Sequence, residues 1–130
     1  MVEMLIAILL MTVGLLAVLT MQDVAINSNS ISMKLTVATT LAQEALEDIL
    51  SWKSDDPRIT TTAADVVYDL DQNTSATTIT IPGGGSYEAK YTTTVGGAAV
   101  PGVPSGITRV IVTVTGGGRR ISVTGFKRTV

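Results

Sequence analysis

The apolar positions of this chain are distributed unevenly. From Met4 to Gln22 nineteen consecutive residues carry no charge. At 1.5 Å per residue a helix of that length covers roughly 30 Å, close to the hydrocarbon thickness of a bilayer. Beyond a polar patch at Asn27–Ser30, apolar residues recur in alternating steps of four and three, at Ile31, Leu35, Ala38, Ala42, Ala45, Ile49 and Trp52. No proline interrupts this pattern before Pro57. The spacing predicts one helix from about Val2 to Lys53, with a first half that has no polar face and a second half that is amphipathic. It divides the chain into an apolar half-helix, residues 1–26, and a head, residues 27–130, that begins with the amphipathic half.

After Trp52 the period changes from about 3.6 to 2. Tyr87, Ala89, Tyr91 and Val95 alternate with polar residues, as do Val110, Val112 and Val114, and then Ile121 and Val123. Pro82–Ser86 and Gly116–Gly118 have hairpin length and composition, the first joining a strand at 76–81 to the Tyr87 run. An α+β head follows, with an antiparallel sheet of about four strands. Its apolar face is expected to be covered by the Ile31–Trp52 seam, with Val110, Val112 and Val114 turned toward the helix.

Composition removes several kinds of chemistry. The 130 residues include neither cysteine nor histidine, so a thiolate nucleophile, a Ser-His-Asp triad and ordinary zinc, haem or iron–sulfur sites are excluded, and the chain is not expected to be an enzyme or to carry a cofactor. A net charge of −2 without a basic block argues against nucleic acid as a partner. Asp69, Asp71 and Asn73 copy the opening of an EF-hand loop. Thr74 and Thr80 then stand where that loop needs glycine and glutamate, so an ordinary turn is expected in place of a calcium site. Arg119, Arg120, Lys127 and Arg128 make the C-terminal part basic, whereas Asp55, Asp56, Asp65, Asp69 and Asp71 make the middle acidic. Glu44, Glu47 and Asp48 share one helix face and read as a solvated stripe.

The flanks of the apolar run are unusual. There is no basic n-region and no A-x-A cleavage site, as a signal peptide would have, and the first positive side chain is Lys34, beyond the run. The expectation is that a short basic leader once preceded the segment and has been removed. Glu3 then places a carboxylate inside the apolar end, where it seeks a cation at similar depth.

The residues Met1-Val-Glu-Met-Leu-Ile-Ala-Ile-Leu-Leu resemble the N-terminal helix of type IV pilins and type II secretion pseudopilins, and the order of the later elements resembles the pilin ladle. The resemblance implies leader cleavage by a prepilin peptidase, methylation of the new terminal amine, and a glutamate that pairs with the amine of a neighbouring subunit. Glu3 matches that glutamate in context. It is preceded by two residues fewer than the family provides, so two mature residues are expected before Met1. The resemblance further implies a homo-oligomeric or mixed helical filament of pilin subunits, the inner membrane before assembly, an assembly machinery, and a periplasmic or extracellular fibre. Gly14 is the one glycine of the apolar half and serves either close helix packing or stretching of the helix; without a helix-breaking proline, packing is favoured. The final hairpin is similar to that of minor pilins. A minor pilin or pseudopilin that primes or caps a fibre is therefore the rival to a bulk subunit, and a bitopic membrane protein with a small exported binding domain is the plainer alternative.

Overall fold

The structure is a computed structural model that describes residues 2–74, 76–97 and 100–129. Its elements in chain order are α1 (Val2–Ser51), α2 (Pro57–Thr60), β1 (Ala63–Tyr68), β2 (Thr78–Ile81), β3 (Gly85–Val95), β4 (Ile107–Gly116) and β5 (Arg119–Arg128). The fold is α+β, a long N-terminal helix with a five-stranded antiparallel sheet. Two compact units divide it, Met1–Met33 and Lys34–Val130. The boundary falls later than residue 26 because the Asn27–Ser30 patch stays helical. At the start of the second unit the Lys34 carbonyl accepts the Tyr87 hydroxyl at 3.3 Å.

The first unit is helix alone, and every residue from Val2 to Asn29 is exposed. Leu and Met are its commonest residues and favour the helix intrinsically. Its two threonine hydroxyls are satisfied within the helix: Thr12 donates to the carbonyls of Ile8 (3.0 Å) and Leu9 (2.8 Å), and Thr20 to that of Ala17 (2.8 Å). Such back-bonding leaves Gln22, at the end of the run, as its one polar side chain not satisfied by a threonine-type bond within the helix.

In the second unit the sheet order is β1-β3-β4-β5, all antiparallel, and β2 also pairs with β3. β1 takes Ala89–Thr93 and β2 takes Gly85–Glu88 along the same side of β3, so the two short strands lie end to end at one edge. β5 forms the other edge. The β4–β5 hairpin closes through Gly117 and Gly118, at φ 56° and 77°, a two-residue turn that needs positive φ at both positions and so selects glycine. β1 is the additional strand relative to the four expected. Its alternation is interrupted by a register shift between Ala63 and Val66 and by Asp65 at φ 52°, which hides the period-2 signal.

The core lies between the second half of α1 and the inner sheet face. Ala38, Ala42, Ala45 and Ile49 cluster with Tyr87, Ala89, Tyr91, Val110, Val112 and Val114, and the three valines are fully buried. Small alanines let the helix lie close to the sheet, and the β3 tyrosines fill the flanks. Gly125 of β5 contributes in the same way: a Cβ there would stand 3.0 Å from Leu46 Cδ1 and 3.2 Å from Leu50 Cδ1.

The seam is shorter than the spacing predicts. Ile31 and Leu35 are 42% and 44% exposed and stand outside the core, which takes its first buried helix residue at Ala38. The helix also stops at Ser51 instead of Lys53. Trp52 leaves the helical path, and its half-buried ring packs edge-on against Tyr91 with centroids 5.7 Å apart. No basic residue occupies the last turn of α1; the Lys127 ammonium, supplied by β5, donates to the carbonyls of Leu50 (2.6 Å) and Trp52 and caps the helix.

Candidate assembly surface

The largest chemical feature is the surface of the first half of α1. Between Val2 and Ile26 sixteen large apolar side chains are exposed, from 52% at Val18 to 75% at Met4 and Met21. Covering them is worth on the order of 20 kcal/mol or more at 1.5–3 kcal/mol per side chain. The segment is long and apolar enough to cross a membrane, and no part of its most apolar window is buried within the chain. Such a surface has to be covered by lipid or by other helices.

Two carboxylates interrupt this unit, Glu3 in the first turn and Asp23 after the apolar run, and it contains no basic side chain. Glu3 is exposed on the helix, where the amino-terminal end of the macrodipole favours a negative charge. The resemblance expects Glu3 to pair with the terminal amine of a neighbouring subunit; Met1 lies outside the described residues. Gly14 stands in unbroken helix, and a Cβ there would meet nothing within 4 Å. Any close packing at Gly14 therefore requires a second helix, and the helix itself is not opened there.

A second constellation sits at the β1 edge of the head. The Asp48 carboxylate is half-buried: its Oδ2 accepts the Tyr68 hydroxyl at 2.8 Å and Trp52 Nε1 at 3.2 Å, and Gln72 Nε2 donates to the same tyrosine oxygen at 3.2 Å. Asp48 is thus part of a network rather than of a solvated stripe, while Glu44 and Glu47 are exposed. Burial, and then the bond to Asp48, push the Tyr68 hydroxyl up to about 12. The Arg58 guanidinium lies 3.7 Å from the Trp52 ring centroid, a cation–π contact, and is ion-paired with Asp56 at 2.7 Å. Asp56 also caps α2 by accepting Arg58 N–H at 2.9 Å. The Arg58 side-chain bond, followed by that backbone bond, lowers the Asp56 carboxyl to about 2. Next to this network lies a groove of about 510 Å³ lined by Trp52, Tyr68 and Tyr91, by the carboxylates of Asp48 and Asp69, and by Arg58.

The Asp69–Asn73 segment is a turn in which Asp69 Oδ1 accepts the Asp71 N–H at 3.0 Å and Asp71 Oδ2 accepts the Thr74 hydroxyl at 2.8 Å. At the opposite edge Phe126 is 58% exposed, paired in register with Arg109 and two residues from Arg128. Sequence reasoning singled out neither the Asp48 network nor Phe126. The four-residue interval between Asp48 and Trp52 was a readable signal for the first; an aromatic at an outward strand position was one for the second.

Comparison with protein-family models, with curated proteins and with solved structures finds no match to this chain.

Proposed function

We propose that the chain is a structural subunit of a type IV pilus-like filament, assembled through its apolar N-terminal helix after leader cleavage. The observation that carries this reading is the combination, in one helix, of an uncovered membrane-length apolar surface with a carboxylate in its first turn. A plain membrane anchor gains nothing from Glu3, because a carboxylate in hydrocarbon only opposes insertion. In a bundle of equivalent helices the same carboxylate neutralises a neighbour's amine and penalises a wrong axial register. The bilayer stores the subunit, and assembly exchanges lipid for helix contacts. A separate head with its own core supports the reading, since the head can fold before the helix leaves the membrane.

Electron microscopy of material sheared from cells with and without the chain tests this. Loss of all fibre mass identifies a bulk subunit, and fewer fibres of unchanged composition identify a minor one that primes or caps. Unchanged fibres, or no fibres in either sample while the protein remains in the inner membrane, would leave the bitopic anchor as the function.

A further inference from the structure

We infer that the heads of neighbouring copies join edge to edge, with Phe126 and Arg128 on the β5 edge of one copy lying against Val67 and Asp69 on the β1 edge of the next. The inference rests on the filament reading above and specifies the head contact that reading leaves open.

Three observations meet here. The exposed large apolar side chains of the head, among the described residues, are Leu35 on the helix, Val67 on β1 and Phe126 on β5. Val67 pairs with Lys90 and Phe126 with Arg109, both outward positions of their strands, so the two apolar residues lie on one sheet face at opposite edges. Their surroundings are opposite in charge. Asp65 and Asp69 flank Val67 at two-residue spacing, and Lys90 across from it is ion-paired with Glu88 at 3.5 Å; Phe126 has Arg109 across the strand pair and Arg128 two residues on. The Arg109 Nε is buried without a hydrogen-bond partner.

The occupant follows from symmetry and strand direction. A two-fold pairing of β5 edges runs antiparallel and would set Arg128 against Arg119, and one of β1 edges centred on Val67 would set Asp65 against Asp69. Like charges therefore disfavour the self-paired arrangement and favour the contact between unlike edges. Strand direction alternates along β1-β3-β4-β5, so β5 of one copy and β1 of a translated copy run antiparallel, as neighbouring strands within each sheet do. A contact between two different patches leaves both unlike edges free at the ends of any row, which makes it propagate instead of closing into a pair.

The chain has no cysteine, so engineered ones report cleanly. Full-length Val67→Cys and Phe126→Cys chains are produced separately and together in the membranes of the native host, and their membrane and sheared fractions are oxidised. The expected result is a disulfide dimer in the mixed sample, well in excess of that from either chain alone, and a ladder of multimers from the doubly substituted chain. Arg128→Glu should reduce the mixed disulfide several-fold, whereas Arg128→Lys should largely retain it. Like-with-like dimers only, or no cross-link, would overturn the inference. Fibres without a ladder would reject this contact and leave the filament reading intact; a ladder without fibres would keep the contact and reject the filament.

Discussion

Removing one oxygen atom tests the hydrogen-bond network that closes the head. In Tyr68→Phe the ring keeps its place in the core, where Tyr68 is 8% exposed, but Asp48 loses the closer of its two side-chain donors and Gln72 loses its acceptor. A hydrogen bond to a charged group contributes about 1.5–3 kcal/mol. Because Asp48 is only half-buried, water replaces part of the loss, and the lower end, about 1.5 kcal/mol, applies. For a domain of roughly 100 residues that corresponds to a fall in Tm of roughly 6–12 °C. The assay is thermal unfolding of the full chain in detergent micelles, followed by the fluorescence of Trp52. It is the single tryptophan, and its Nε1 donates to the same carboxylate.

The pH dependence separates this bond from packing. The neutral hydroxyl of Tyr68 is favoured in the folded state, with its pKa raised from 10.0 to about 12. The unfolded chain therefore loses this proton first. The contribution is fully present below pH 10 and is lost as pH rises toward 12. The gap in Tm between wild type and Tyr68→Phe should accordingly be constant below pH 10 and shrink above it, while titrations common to both chains cancel. A gap that persists unchanged to pH 12, or the absence of any gap at pH 8, would refute the assignment of the bond to a charged Asp48.

Other substitutions probe the remaining parts. Val112→Asp places a carboxylate at a fully buried position facing Tyr91 and Val123 in register, and should unfold the head at 25 °C while the chain remains in the membrane fraction; a retained Trp52 melting transition would contradict the assigned face. Lys127→Met keeps the aliphatic stem but uncaps Leu50 and Trp52, so stability should fall by about 1–2 kcal/mol in the same melting assay, and an unchanged Tm would remove the cap from the account. Gly125→Val should cost about 1–3 kcal/mol by pressing on Leu46 and Leu50, whereas a neutral result would show that the helix can move away from β5. Glu3→Gln should insert and fold normally yet be strongly depleted from sheared fibres relative to the membrane fraction; equal incorporation as a bulk subunit would end the charge-pairing role.

What could be read before the structure was governed by period. The apolar run and the strands β3, β4 and β5 have long, regular patterns, and Val110, Val112 and Val114 lie on the face their alternation predicts. The departures arise where tertiary contacts override local pattern. Ile31 and Leu35 continue the helical spacing flawlessly, yet both are exposed, and spacing along one element carries no information about which of its positions a partner covers. β1 was concealed by the bulge at Asp65, which turns alternate residues away from strict alternation. Asp48 shares its helix face with Glu44 and Glu47, and only its distant partner Tyr68, at 2.8 Å, distinguishes it from a solvated charge. The Lys127 cap joins residues more than seventy positions apart, a pairing with no local signature.

Charge is partitioned between the two units in a way that bears on assembly. All nine basic residues and nine of the eleven acidic ones fall within Lys34–Val130, so the head is balanced, and the chain's net −2 resides in Glu3 and Asp23 on the apolar unit. The apolar side chains of that unit do not by themselves favour a fibre over a bilayer, because lipid tails are as apolar as leucine. On the proposed reading, the preference for the fibre has to come from groups that lipid satisfies poorly: the carboxylates without cations of their own, the open helix surface at Gly14, and the unlike edges of the heads. Glu3 belongs to the apolar unit and Arg128 to the β5 edge of the head, and the two are proposed to act on different partners. Their effects on incorporation should therefore add on a free-energy scale, so that a chain carrying both Glu3→Gln and Arg128→Glu is depleted from fibres by about the product of the two single depletions.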